Sequence, residues 1–265
     1  MTAQTYSTLA LDNPVALVLQ VTLNRADVSN AFNTQMASDL VDFFENLAME
    51  PGDTRCVVLT GAGDKAFCAG GDLKERDGMS NEAWTRQHLI YERMIRAVVD
   101  CPIPVIAAVN GAAYGGGCEL AAAVDFVYAA KNARCAMPET SLGIIPGAGG
   151  TQTLSRALGE RRAKEIILSA KSFTAEQACQ WGLVNAVFPQ QQLLDEAIQV
   201  ASRIAANAPI AVRQARQAIH RGLQMSLADG LAFEIEAYNR TVPTNDRREG
   251  IQAFNQKRAA EFKGK

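Results

Sequence analysis

The chain has few of the residues from which most metal and hydrolytic sites are built. It contains two histidines, His88 and His220, both in stretches that read as helices, with no cysteine or carboxylate set around them as metal ligands. They read as surface or core residues. This scarcity disfavours histidine-based metal centres and Ser–His hydrolases, and it leaves carboxylates to carry any acid–base chemistry. The six cysteines (Cys56, Cys68, Cys101, Cys118, Cys135 and Cys179) form no C-x-x-C pair and no zinc spacing. Several sit in apolar runs, where a free thiol behaves as a small hydrophobe, as suits a reducing compartment. A formal net charge of −2 offers no electrostatic footprint for nucleic acid or anionic lipid. No apolar run approaches the roughly 20 residues of a membrane helix. The opening MTAQTYSTLALDNP lacks the basic and long apolar regions of a secretion signal. The expectation is a soluble, cytoplasmic protein with no membrane and no nucleic-acid partner.

What is present is ordinary globular composition, 48% apolar and 20% charged over 265 residues. A chain of this length buries roughly 70 to 75% of its unfolded surface and needs no disulfide or metal staple. ALVLQVTL (16–23), RCVVLTG (55–61), PVIAAVNG (104–111) and FVYAA (126–130) read as buried strands. A helix with Met36, Leu40, Phe43, Phe44 and Leu47 on its apolar face lies between the first two, and another runs from near Ser80 to about Val99. Strands alternating with helices imply parallel pairing through right-handed crossovers. The second half is mostly helical, with starts near Thr151, Thr174 and Gln191, a first-turn proline at Pro209, and caps at Ser226 and Thr244. The expected organisation is an α/β core over residues 1–200 and a helical extension over 201–265.

Three glycine-rich stations interrupt this pattern. In the first, LTGAGDKAFCAGGDLKER (59–76), Gly61 to Ala66 matches G-x-G-x-x-A, but Phe67 to Gly71 break the helix that a dinucleotide site requires there. No P-loop occurs. The second, NGAAYGGGCELAAAVD (110–125), turns from a strand into a helix. The first amides of a helix lack internal acceptors and carry partial positive charge, and glycine lets a ligand approach them, which suits a carbonyl oxygen that becomes an enolate. Glu119 falls in the first turn of that helix. In the third, MPETSLGIIPGAGGTQ (137–152), Glu139 follows a proline in an apolar segment, and PGAGGTQ makes a second turn into a helix. Taken singly, Glu119 also reads as a charge complementing the helix dipole, and Glu139 as a surface loop carboxylate.

Together AFCAGGDLKE, NGAAYGGGCELAAAVD and PETSLGIIPGAGGTQTLSR, with A-x-x-x-G-L-V at 178–184 and the late FNQKR, resemble the crotonase superfamily of enoyl-CoA hydratases and isomerases over essentially the whole chain. The resemblance implies a ββα spiral core with a helical C-terminal oligomerisation region, assembled as a homotrimer or a dimer of trimers. It implies an oxyanion hole of two backbone amides, mapping to Gly71 and Gly116. It maps the water-activating carboxylate to Glu119 and the acid that protonates the α-carbon to Glu139. No metal and no cofactor is implied, coenzyme A being part of the substrate. CoA-bordering positions map to Ala26, Val28, Lys65, Ala66, Ala69 and Asp72, with Phe254 and Lys257 reaching from a neighbouring subunit. Relatives usually have proline where Ala26 stands and often a basic residue near Val28 or Ser29, so this chain departs from the pattern at both places. The stretches GAGDKAFCAG, NAPIAV and DRREGIQAFNQKR are most similar to the methylglutaconyl-CoA hydratase branch, within which a 3-methylglutaconyl thioester is the alternative substrate to a general enoyl-CoA. LKERDGMS (73–80) reads either as a solvated charged turn or as part of the acyl pocket, with Arg76 pairing with the distal carboxylate of a branched diacid thioester. Isomerase or retro-Claisen chemistry on the same fold is a rival. RNA binding is another, though Arg93 and Arg96 are the only basic residues in YERMIRAVVD, a pattern that usually marks just a solvated helix face.

Overall fold

The computed structural model describes residues 5–265, so the first four residues of the leader reading lie outside it. In chain order the first strands are β1 (Leu9–Val15), β2 (Val18–Leu23), β3 (Cys56–Gly61), β4 (Ala66–Cys68) and β5 (Val105–Val109). They are followed by β6 (Ala112–Tyr114), β7 (Phe126–Ala130), β8 (Arg134–Ala136), β9 (Phe173–Thr174) and β10 (Ala186–Phe188). The helices of the first half are α1 (Thr34–Met49), α2 (Leu73–Arg76), α3 (Asn81–Asp100), α4 (Gly116–Ala123) and α5 (Gly150–Leu158). Beyond them come α6 (Glu160–Ser169), α7 (Ala175–Trp181), α8 (Gln190–Ala205), α9 (Pro209–Gly222), α10 (Leu227–Asn239) and α11 (Asn245–Asn255).

The six-stranded sheet has the order β1-β2-β3-β5-β7-β10, parallel throughout except for the β1–β2 hairpin. β3 and β5 are buried at every position, which explains their unbroken apolar runs, since a parallel strand covered on both faces has no polar side to show. The smaller sheet, β4-β6-β8-β9, was not expected from the sequence; its strands are two or three residues long and carry too little pattern to register. The repeating unit is a strand of the large sheet, a short strand of the small one, and then a helix: β3–β4–α2, β5–β6–α4 and β7–β8 leading to α5. This is a ββα spiral.

Helix starts follow local chemistry. Asn33, Ser80, Ser226 and Thr244 each accept a backbone N–H in the first turn of α1, α3, α10 and α11, and Thr174 and Gln177 form a reciprocal capping box on α7. The apolar face predicted for α1 is buried in full. The division expected at residue 200 falls inside α8, a continuous helix that packs over β3, β5 and β7 and buries Ala201 and Ala205. Through Ala205, then, α8 is packed on the large sheet. The helices after it differ: α9 buries no residue at all.

Candidate active site

The turn that begins at Gly115 is more compressed than the sequence alone implies. A three-residue strand intervenes, so the chain passes from β5 through Gly111 and β6 before α4 begins. Gly115 is the cap of α4, with φ +52°, and a Cβ there would stand 2.8 Å from Glu139 Oε1. A side chain at this position would be strained and would also displace a carboxylate. Gly117 meets the carbonyl oxygen of Cys68, only 2.0 Å from where its Cβ would be. That close approach sets the spacing between the Cys68–Gly71 segment and the start of α4.

Those two segments carry the amides mapped to the oxyanion hole. Phe32 pairs with the first segment, donating its N–H to Gly70 O (2.9 Å) and accepting from Asp72 N (3.0 Å), so the intervening Gly71 amide is not used in that pairing. Gly116 is the first residue of α4, where the N–H has no intrahelical acceptor. Both glycines line a cavity of 670 Å³ that is also lined by Glu119 and Glu139. Phe32, Leu73, Leu89, Leu142, Ile144 and Ile145 give it apolar walls.

Glu119 is 2% exposed, and its Oε1 accepts from the amides of Ala148 (2.9 Å) and Gly150 (2.7 Å). The third glycine station therefore serves the second, because PGAGGTQ folds its amides onto the Glu119 carboxylate. Burial pushes Glu119 up to about 7, against those two amides, with the neighbouring Glu139 charge adding to the rise. Glu139 is 7% exposed, at the start of a single helical turn behind Pro138, and burial raises it too. Among the described residues nothing hydrogen-bonds to its buried Oε2. Both carboxylates are thus inside, and the readings of Glu119 as a dipole partner and Glu139 as a surface loop residue are set aside.

The positions mapped to coenzyme A divide into two groups. Ala26 and Val28 form a short turn held against Ala62–Ala66 by the buried Asn30, whose Nδ2 donates to Ala62 O and Ala66 O, both at 2.9 Å. Ala69 N donates to Ser29 O, so Ala26, Val28, Lys65, Ala66 and Ala69 belong to one rim. Of these only Ala69 lines the cavity. Asp72 caps α2 and pairs with Arg25 at 3.0 Å, so its carboxylate is engaged within the fold. Phe254 and Lys257 lie at and just after the end of α11, away from the cavity lining, with Phe254 83% exposed.

Phe32, Tyr91 and His88 also belong to the site, although the sequence gives none of them a role in it. Phe32 sits under Gly116 and meets Tyr91 edge-on at 4.8 Å, while the Tyr91 hydroxyl donates to Phe32 O. His88, read as surface or core, is on the cavity wall against Gly147. Arg76, left open between a solvated turn and a pocket residue, is 9% exposed and lines the cavity. Arg93 and Arg96 are exposed and paired with Glu45 and Glu92. Among the described residues no cluster of His, Cys, Asp or Glu is arranged to hold a metal ion, and no described helix is long and apolar enough to cross a membrane.

Gly71, Gly116, Glu119 and Glu139 thus line one cavity with largely apolar walls. The family profile for enoyl-CoA hydratase/isomerase matches residues 15–265. The chain belongs to that family. It is 40% identical over 244 residues to a short-chain-enoyl-CoA hydratase of Clostridium acetobutylicum, covering 92% of this chain and 93% of the relative. It is likewise 40% identical over 257 residues to a 2,3-dehydroadipyl-CoA hydratase of Escherichia coli, covering 94% and 96%. A crystal structure of an enoyl-CoA hydratase from Bacillus anthracis superposes with a TM-score of 0.95 at 44% identity, covering 97% of this chain and all of that one. The ββα spiral is therefore the crotonase fold of this enzyme family.

Proposed function

We propose that the protein hydrates the 2,3 double bond of enoyl-CoA thioesters. The observation that carries this reading is the pair Glu119 and Glu139, buried on separate elements and facing the same cavity as the Gly71 and Gly116 amides. The thioester oxygen binds between the two amides, which stabilise the negative charge that develops on it as the β-carbon is attacked. Glu119 takes a proton from water as its oxygen adds to the β-carbon, and Glu139 delivers a proton to the α-carbon. The pair needs one proton between them, and two close carboxylates in a partly dry cavity retain one for that reason. Each turnover leaves the proton on Glu119, the more buried of the two, and it returns to Glu139 through the next water. The reading needs no cofactor beyond the coenzyme A of the substrate.

Loss of conjugated thioester absorbance with crotonyl-CoA tests this. Glu119→Gln and Glu139→Gln should each lower kcat by about 10² to 10⁴-fold, and the double variant should be little worse than either. Hydration unaffected by both substitutions would overturn the assignment. Isomerisation is the second reading; it moves one proton between two carbons and leaves the second buried acid without a task. Migration of the double bond in a 3-enoyl thioester, without hydration of a 2-enoyl one, would favour it.

The same proposal places the CoA moiety along the rim of Ala26, Val28, Lys65, Ala66 and Ala69, and takes Phe254 and Lys257 to that rim from a neighbouring copy. Assembly as a trimer, or a dimer of trimers, is supported by the exposed Ile219, Leu223, Leu227, Leu231, Ile235 and Phe254 on or beside α9, α10 and α11. A cytoplasmic location is favoured by the six unpaired cysteines. The 3-methylglutaconyl thioester remains the alternative substrate, and its support comes from Arg76.

A further inference from the structure

Arg76 ends α2 and is buried on the cavity wall, although no carboxylate oxygen of the described residues lies within ion-pair distance of it. The nearby acids are engaged elsewhere. Asp72 pairs with Arg25, and Glu75 accepts from Thr34 N (2.9 Å) and Gln87 Nε2 (2.7 Å). That second bond turns the Gln87 carbonyl towards Arg76, whose Nε donates to it at 2.8 Å. The guanidinium carbon lies 4.2 Å from the Trp84 ring centre and 4.9 Å from that of Tyr91. One edge and the faces of the guanidinium are therefore held, while its Nη groups have no carboxylate or carbonyl acceptor.

A buried cation is costly unless an anion completes it, and aromatic faces compensate only in part. The planar fork of arginine suits a carboxylate approaching in its plane. Thr85 and His88 line the same cavity, but Arg76 is the one Lys or Arg in its lining, so an anion arriving there meets one permanent cation. A Cβ on Gly71 would stand 3.9 Å from the Arg76 guanidinium carbon, so the charge is close to the amide proposed to hold the thioester oxygen. With carbon–carbon bonds of about 1.5 Å, an acyl chain reaching from that amide to the guanidinium has roughly four to six carbons.

We propose that Arg76 makes the enzyme selective for short enoyl thioesters that carry a second, distal carboxylate, that is, monothioesters of unsaturated dicarboxylic acids. This rests on the hydratase reading for the reaction, but not for the binding. The test compares a six-carbon 2-enedioyl-CoA, its distal methyl ester and neutral 2-hexenoyl-CoA, in the wild type, Arg76→Met and Arg76→Lys. The wild type should prefer the free acid to its methyl ester by about 10- to 100-fold in kcat/KM, mainly through KM. Arg76→Met should bring that ratio close to one, and Arg76→Lys should restore part of it. A general loss of activity lowers all three substrates together and leaves the ratio alone. A wild-type ratio near one, or a ratio unchanged in Arg76→Met, overturns the proposal. Equilibrium binding of saturated glutaryl-CoA against its methyl ester separates the two readings. A preference for the acid that depends on Arg76, without hydration of any thioester, would keep the carboxylate site and remove the hydratase; no preference in binding would remove the site.

Discussion

The turn region around α4 and the C-terminal helices break the usual distribution of residues in opposite directions. In α4 seven of eight residues are buried and one of them is a glutamate, whereas α9 buries none and leaves Ile219 exposed. Polar groups held inside and apolar groups held outside both cost free energy in the isolated chain. The first cost is local to a frame rigid enough to keep a carboxylate dry. The second is removed only by another surface. On the reading proposed above, one region serves a small ligand and the other a second copy of the chain, and substitutions in each should fail in different ways.

The largest effect should come from Glu119→Gln, which is expected to cost about 10² to 10⁴-fold in kcat while making the fold more stable. The glutamine oxygen can still accept from Ala148 and Gly150. Glu119 titrates at about 7 in the folded chain against an ordinary 4.5, so the unfolded state loses its proton first as pH rises. Wild-type stability therefore falls between those two values, and the full penalty of about 3 kcal/mol is present above them. Denaturant unfolding should show the variant more stable at pH 8 and no gain near pH 4. Because Glu119 must be ionised to take the proton from water, the same titration predicts that wild-type kcat/KM rises as pH climbs through about 7. A profile flat from pH 6 to 8, measured with crotonyl-CoA, would contradict it.

Gly117→Ala should come next. The added methyl meets backbone rather than a flexible side chain, so α4 must move away from Cys68. Overpacking of this kind costs about 1 to 3 kcal/mol, and here it also separates the two proposed donor amides. A drop in kcat larger than the drop in thermal stability explains would show that spacing, and not folding alone, is at stake.

These two positions also show what could be read without coordinates. Glu119 and the glycine triplet stand out because charge and glycine are both unexpected in an apolar, alanine-rich run. Four large-sheet strands, β2, β3, β5 and β7, and the capped helices were legible because a buried strand or an amphipathic helix leaves a pattern over several residues, whereas the mostly exposed β1 and the three-residue β10 at the sheet edges leave none. The small sheet was not, since a strand of three residues has no period. Nor could the sequence show that the Ala148 and Gly150 amides grip Glu119, that Phe32 lies under Gly116, or that Arg76 is buried beside Trp84. Each is a contact between segments far apart in the chain, and single residues such as Arg76 read equally well as solvated charge. Residue 200, expected to end the core, lies inside α8, whose packing on the large sheet its composition does not reveal.

In the C-terminal region the expected failure is of assembly. Leu231→Asp on α10 changes an exposed side chain, so the monomer fold should lose less than about 0.5 kcal/mol. If this face joins copies of the chain, sedimentation velocity should show dissociation at micromolar concentration, with KM for the CoA thioester rising if Phe254 and Lys257 act across the interface. An unchanged sedimentation coefficient would locate the interface elsewhere.

The smallest effect is expected at Gly71, and it sharpens the contrast with Gly117. Both are glycines in the same frame, but a Cβ on Gly71 would find its nearest neighbours, Tyr91, Arg76 and Phe32, at 3.6 to 3.9 Å, which is ordinary contact. Its φ is not positive, so alanine brings no backbone strain. The proposed function of this residue is donation from its backbone N–H, which alanine keeps. Gly71→Ala should therefore leave crotonyl-CoA hydration within a few-fold of wild type. If it instead lowers kcat as far as Gly117→Ala does, the added methyl displaces the Gly71 amide, and the pocket around Phe32 and Tyr91 has less room than the van der Waals distances imply.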